Sequence, residues 1–449
     1  MATTVYMIII GFYCLVMIGL GIYGKQKTPG KTLNEYFLAG RSIGPVVAFF
    51  ALGATIFSPV GLQGAPANFA KNGVGNFIFA IVTLVEGYLF YLYAFRFNIL
   101  GRKFDYITLG DYMEHRYGGR LVRWVFGGLQ LILTIPYIAI QLTAFGNLME
   151  NFSGGQVSFA LGALILGVVM MIYIFIGGYR SVAWTNVIQG ILMILALLLS
   201  ALLLLRHIDG GFAGMMMRKA QNAPETLTVP GQMGAWPRAT WFAWLFFMFA
   251  MCTQPHVVQK FFSSRDTKSI RFSILMLPVY GILVYIAACL FGWAGQELIP
   301  DQLKSVGDGM TMALVIQYLP VWIGGIFACG IIAAAMSTAD SQYITVGSLV
   351  TKDFIQSSRQ KKTRDAAKDT RLGQMIVLIL FVVGYFIAIM RLTSIVGLIT
   401  KGIFPFGSQL FVAMLGGLYW RKATKEGTLV SLIGGLILVS LMTFGGLHS

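Results

Sequence analysis

Apolar residues run along this chain in long stretches, and polar residues are confined to short intervals between them. An α-helix rises about 1.5 Å per residue, so crossing a hydrocarbon core of about 30 Å takes roughly 20 residues. Stretches of that order recur at 5–23, 43–70, 77–93, 122–148, 157–176, 182–205, 241–252, 272–293, 321–350, 375–390, 395–420 and 427–446. The pattern predicts an all-α integral membrane protein of about twelve transmembrane helices. The first stretch has no basic region before it and no small-residue cleavage site after it, so it is expected to be retained rather than cleaved.

Composition changes this picture little. Hydrophobic residues make up 57% and charged residues 11% of 449, with a mean hydropathy of +0.75, too apolar to be covered by water. No polar interval is long enough to enclose a core of its own, so residues 1–449 read as a single membrane transport domain. The net charge of +16 raises nucleic acid as a partner, and the placement of the charge argues against it. Twenty-five of the 33 Lys and Arg fall in alternate loops, among them Arg41, Lys260 and the run Arg359 to Arg371. That alternation orients a multi-pass protein in a cell membrane, with the basic loops inside and both termini outside; in a bacterium this would be the inner membrane. The four cysteines have no paired spacing and are read as buried thiols.

Two stretches are interrupted. Gly53-Ala54-Thr55-Ile56-Phe57-Ser58-Pro59-Val60-Gly61-Leu62-Gln63-Gly64-Ala65-Pro66 contains two prolines, which donate no backbone hydrogen bond, and several glycines. Thr253-Gln254-Pro255-His256 interrupts another helix further on. Backbone freed inside a bilayer must find an ion, a solute, water or a side chain, and paired breaks are the pattern of an inverted-repeat transporter. The repeats would be 43–205 and 241–420, with 5–23 as an extra N-terminal helix and 427–446 as a C-terminal one. A simple kink would give the same local sequence.

The chemistry concentrates at Ala333-Ala334-Ala335-Met336-Ser337-Thr338-Ala339-Asp340-Ser341-Gln342. Ala334, Ser337 and Thr338 stand at i, i+3 and i+4, so a carbonyl and two hydroxyls share one helix face. Neutral oxygens at close range suit a hard monovalent cation, and freed carbonyls near Ala54 and Phe57 would complete the shell. The alternative is close helix packing, with the hydroxyls bonded back to their own backbone.

The chain resembles the sodium/solute symporters, whose relatives carry proline, pantothenate, monocarboxylates and sugars. The resemblance runs nearly end to end and rests on Asn34-Glu35-Tyr36-Phe37-Leu38-Ala39-Gly40-Arg41, Gly177-Gly178-Tyr179-Arg180-Ser181-Val182-Ala183-Trp184-Thr185-Asn186-Val187-Ile188-Gln189, Gln254-Pro255-His256 and Ala334 to Gln342. It implies a LeuT-like core of five plus five helices and a sodium ion held by the carbonyls of Ala54, Phe57 and Ala334 and the hydroxyls of Ser337 and Thr338. Asn186 departs from the aspartate common at that place in the family, which argues against a second sodium there. Asp340, Ser341 and Asn186 are the candidates for coupling or gating.

A solute pocket is expected beside the broken segments. It nominates Gln63, Asn68, Glu86, Tyr137, Gln141, Phe247 and Met251, with core packing as the alternative for the aromatic members. The stretch Ile135 to Leu142 is most similar to the monocarboxylate branch, and Met251, where proline carriers have an aromatic residue, argues against proline. The expected function is therefore sodium-coupled import of a small organic solute, a monocarboxylate or a pantothenate-like carboxylate, by a monomeric unit with Na⁺ as its only cofactor. Proton coupling through Asp340 or Glu86, or an amino-acid or sugar substrate, are the alternatives. An enzyme is not expected: the sequence holds no His-rich metal motif, no nucleophile–base grouping and no phosphate-binding loop.

Overall fold

The computed structural model describes residues 2–26, 32–229, 238–357, 366–391, 397, 399 and 403–444. Within them the chain is almost entirely helical, and each expected stretch falls on helix. The helices are α1 (Ala2–Gln26), α2 (Leu33–Leu38), α3 (Pro45–Ile56), α4 (Ala65–Asn72), α5 (Ile78–Phe104), α6 (Leu109–Tyr117), α7 (Arg120–Phe152), α8 (Phe159–Leu204) and α9 (Gly211–Asn222). They continue as α10 (Arg238–Thr253), α11 (Pro255–Ser263), α12 (Thr267–Leu298), α13 (Leu303–Val306), α14 (Met310–Tyr318), α15 (Val321–Leu349), α16 (Ala366–Ile389), α17 (Phe404–Tyr419) and α18 (Lys425–Phe444).

Among the described residues eight helical segments are long and apolar enough to cross a membrane, and α3 and α17 are shorter apolar helices. Outward faces carry large apolar side chains such as Phe12, Leu275 and Val430, all exposed. Water would not tolerate so many, whereas lipid requires them. Burial is deepest at α15, whose residues from Phe327 to Leu349 are all buried, and which packs along α8, α7, α1 and α3.

The stretches expected at 157–176 and 182–205 join in one long element, α8, which turns at Gly178 (φ 61°, ψ −163°). Only glycine adopts that backbone readily, and a Cβ there would sit 3.0 Å from the Tyr36 ring. The turn brings two of the quoted motifs together, for Arg180 pairs with Glu35 at 3.3 Å and donates to the Ala39 carbonyl at 3.1 Å. Nearby, Arg41 is buried rather than solvated and donates to the carbonyls of Phe262 and Tyr106.

Both expected breaks are present. Helix α3 stops at Ile56, and after Phe57, Ser58 and Pro59 the chain resumes as a π-helical turn, Val60–Gly64, that leads into α4. Helices α10 and α11 are separated by Gln254 in an extended conformation.

Candidate ion and solute site

The first break has a simple cause. In a continuous helix the Ala54 carbonyl would accept from the Ser58 N–H, but that N–H turns to Ile56. The Thr55 carbonyl would accept from residue 59, which is proline and has no N–H to give. Two carbonyls are thus left over in the middle of the bundle, where each must find a donor.

Helix α15 supplies the donors. Ser337 Oγ lies 2.8 Å from the Ala54 carbonyl oxygen and 3.1 Å from that of Ala334. Thr338 Oγ1 lies 2.9 Å from the Thr55 carbonyl oxygen and 3.2 Å from that of Ala334. The helical face predicted from i, i+3, i+4 spacing therefore meets the break, and these side chains are fully buried. Phe57 caps α3 with its own N–H bonded to Gly53, and its ring stacks on Tyr280 with centroids 5.1 Å apart. Thr55, not nominated from the sequence, joins the group through its hydroxyl, 3.1 Å from Ser341 Oγ and 3.3 Å from the Ser337 carbonyl. It lacked a signal because one threonine in an apolar helix reads as packing.

Behind this face lie the coupling candidates. Asp340 is fully buried and accepts from Tyr173 (3.1 Å) and from Ser341 (3.2 Å). Asn186 is buried with neither end of its amide hydrogen-bonded. Lys260, expected in a basic loop, instead lies inside the bundle on α11, its Nζ 2.7 Å from Ser341 Oγ. Positive-inside counting treats every lysine near a helix end as solvated, and here the whole of α11 is buried.

The second break is closed by side chains from α5 and α7: Tyr93 donates to the Cys252 carbonyl at 2.9 Å and Gln130 to the Thr253 carbonyl at 2.7 Å. Between the two breaks is a pocket. Glu86, Tyr137 and Met251, all nominated from the sequence, line it, together with Ser58, Thr83, Phe79, Met248, Tyr285 and Phe404, which were not. Glu86 is 1% exposed and its Oε1 has no hydrogen-bond partner. Among the described residues it is the one acidic or basic side chain in that lining. Gln63, Asn68 and Gln141 are not among the lining residues; Gln63 is buried with its amide unpaired, Asn68 is half-buried, and Gln141 donates to the Tyr137 carbonyl one turn back. The side chain of Phe247 lies outside the described residues.

Two discontinuous helices that frame a pocket at the centre of an apolar bundle define a secondary transporter of inverted-repeat architecture. The chain belongs to the sodium:solute symporter family, whose pattern it matches over residues 36–435. It is 27% identical to the sodium/pantothenate symporter of Escherichia coli (strain K12), over 96% of this chain and 89% of that one. It is 26% identical to the sodium/proline symporter of Staphylococcus aureus (strain JH9), over 96% and 84%. Among solved structures, the substrate-bound, outward-open state of a Na⁺-coupled sialic acid symporter superposes with a TM-score of 0.74 at 18% identity, covering 97% of this chain and 98% of that one. A nucleobase-cation-symport-1 family transporter with bromovinylhydantoin bound superposes with a TM-score of 0.51 at 13% identity, covering 93% and 96%. The protein is a multi-pass membrane symporter that couples the movement of a solute to sodium.

Proposed function

We propose that Na⁺ is bound by the carbonyl oxygens of Ala54, Phe57 and Ala334 and the hydroxyls of Ser337 and Thr338, and that the solute occupies the pocket lined by Glu86, Tyr137 and Met251. The observation that carries this reading is the approach of Ser337 Oγ to the Ala54 carbonyl at 2.8 Å, which sets a hydroxyl of one repeat against broken backbone of the other. Each hydroxyl is both donor and acceptor. When Na⁺ takes the place of the donated protons, the same oxygens become its ligands and the ion ties α3 to α15. Because α3 ends at the pocket, where Phe57 and Ser58 form part of the wall, ion and solute stabilise one arrangement of the same break. Reciprocal linkage then makes each raise the affinity for the other.

The solute is a small organic carboxylate, of the monocarboxylate or pantothenate kind, with a hydrogen-bond donor at its other end. Glu86 offers an acceptor and repels a carboxylate, so the donor end faces Glu86. The carboxylate faces the backbone amides at the broken helix or the bound cation. The working unit is one chain built of the repeats 43–205 and 241–420, with both termini outside the cell membrane and transport directed inward. Competition of pyruvate, lactate, pantothenate, proline and glucose for sodium-stimulated uptake into proteoliposomes tests the assignment. Inhibition by pyruvate, lactate or pantothenate supports it; inhibition by proline alone or glucose alone contradicts it, and uptake driven by a pH step without sodium would select proton coupling instead.

A further inference from the structure

A lysine side chain seldom lies wholly inside a bilayer-spanning bundle, and where it does it has a partner and a task. Lys260 is 2% exposed. Its ammonium lies 2.7 Å from Ser341 Oγ and 5.1 Å from the centre of the Tyr179 ring, an aromatic face that attracts cations. Ser341 Oγ stands in turn 3.2 Å from Asp340 Oδ1, 3.1 Å from Thr55 Oγ1 and 3.0 Å from the Ser337 carbonyl oxygen. One hydroxyl thus joins the ammonium, a buried carboxylate and the helix face that carries Ser337 and Thr338. Oxygens of this kind, a carboxylate, two hydroxyls and a carbonyl, are what a hard monovalent cation selects.

We propose that the Lys260 ammonium is a tethered cation: it fills a cation position beside the sodium cage, balances Asp340, and so limits the carrier to one sodium in this region. The inference rests on the sodium cage described above and adds to it a reason for a single ion. Without the ammonium, Asp340 would be a buried carboxylate with no countercharge among the described residues and a ready set of neighbouring oxygens. A second Na⁺ would restore neutrality there at less cost than leaving the charge alone. With the ammonium in place, a second ion beside it would meet a fixed like charge.

The test is the binding of ²²Na⁺ to the purified full chain in lipid nanodiscs, counted per protein. The native protein is expected to bind about one ion, and Lys260→Met, which keeps the apolar stem and removes the charge, about two. Lys260→Met combined with Asp340→Asn is expected to return to about one, because the countercharge that recruits the second ion is gone. Lys260→Met that still binds one ion, or native protein that binds two, overturns the proposal. If Lys260→Met does not fold, Asp340→Asn alone decides it: an uncompensated ammonium beside the cage should weaken ²²Na⁺ binding roughly tenfold or more, and unchanged binding overturns the proposal. Failure of the cage itself reads differently, as native binding that survives Ser337→Ala with Thr338→Ala.

Discussion

Thr338 donates its hydroxyl to the carbonyl of Thr55 at 2.9 Å, joining residues 283 positions apart in the chain. The bond exists because Pro59 has no N–H for that carbonyl, so the break in one helix and the hydroxyl on the other are two halves of one arrangement. Thr338→Ser keeps the hydroxyl and is expected to keep sodium-dependent uptake. Thr338→Ala and Ser337→Ala each remove an oxygen and are expected to raise the sodium concentration for half-maximal uptake about 10- to 100-fold, the equivalent of about 1.5–3 kcal/mol.

Glu86 makes a separate prediction. It lines the pocket and has a carboxyl oxygen without a hydrogen-bond partner, so Glu86→Gln is expected to weaken solute binding about tenfold. Solute-free sodium binding should change much less. Titration of each ligand alone, by intrinsic fluorescence of the purified protein, separates the two effects; equal loss of both would assign Glu86 a structural role.

Much of this arrangement is legible in the sequence, for identifiable reasons. Lipid forces long apolar helices, so hydropathy finds them, and Pro59 and Pro255 mark the two breaks because their missing N–H groups are chemical facts of the residues. The hydroxyl face of Ser337 and Thr338 follows from helical spacing alone. Lys260, Thr55 and the pocket residues Phe79, Thr83 and Tyr285 were not legible, because whether one side chain meets another helix or lipid depends on how the helices rotate in the bundle. The same gap explains Gln63 and Asn68, close to the first break in sequence, and Gln141 on α7, none of which lines the pocket.

Gly178 is where α8 turns, with a backbone conformation nearly exclusive to glycine and Tyr36 3.0 Å from where a Cβ would be. Gly178→Ala should cost about 1–3 kcal/mol from the backbone alone. A lowered melting temperature of the detergent-solubilised protein is the expected readout, and an unchanged one would mean that the turn relaxes freely.

Asp353, fully buried in the π-helical turn after α15, pairs with Arg123 Nε at 3.1 Å and accepts from Thr108 at 2.6 Å. Arg123 also pairs with Asp111 and Glu114 of α6. Arg123→Met would leave a buried carboxylate without its countercharge, a loss of about 3–5 kcal/mol. Adding Asp353→Asn should restore part of the stability. Thermal unfolding of the single and double variants checks this, and simple additivity of the two losses would contradict the pairing.

The sodium cage is tested most directly by ²²Na⁺ binding to the solute-free protein, with and without the two hydroxyls on α15. Binding to the native chain that is abolished in the Ser337→Ala, Thr338→Ala double variant, in protein that still unfolds at the native temperature, is the predicted result. Undiminished binding in that variant would place the ion elsewhere and contradict the account.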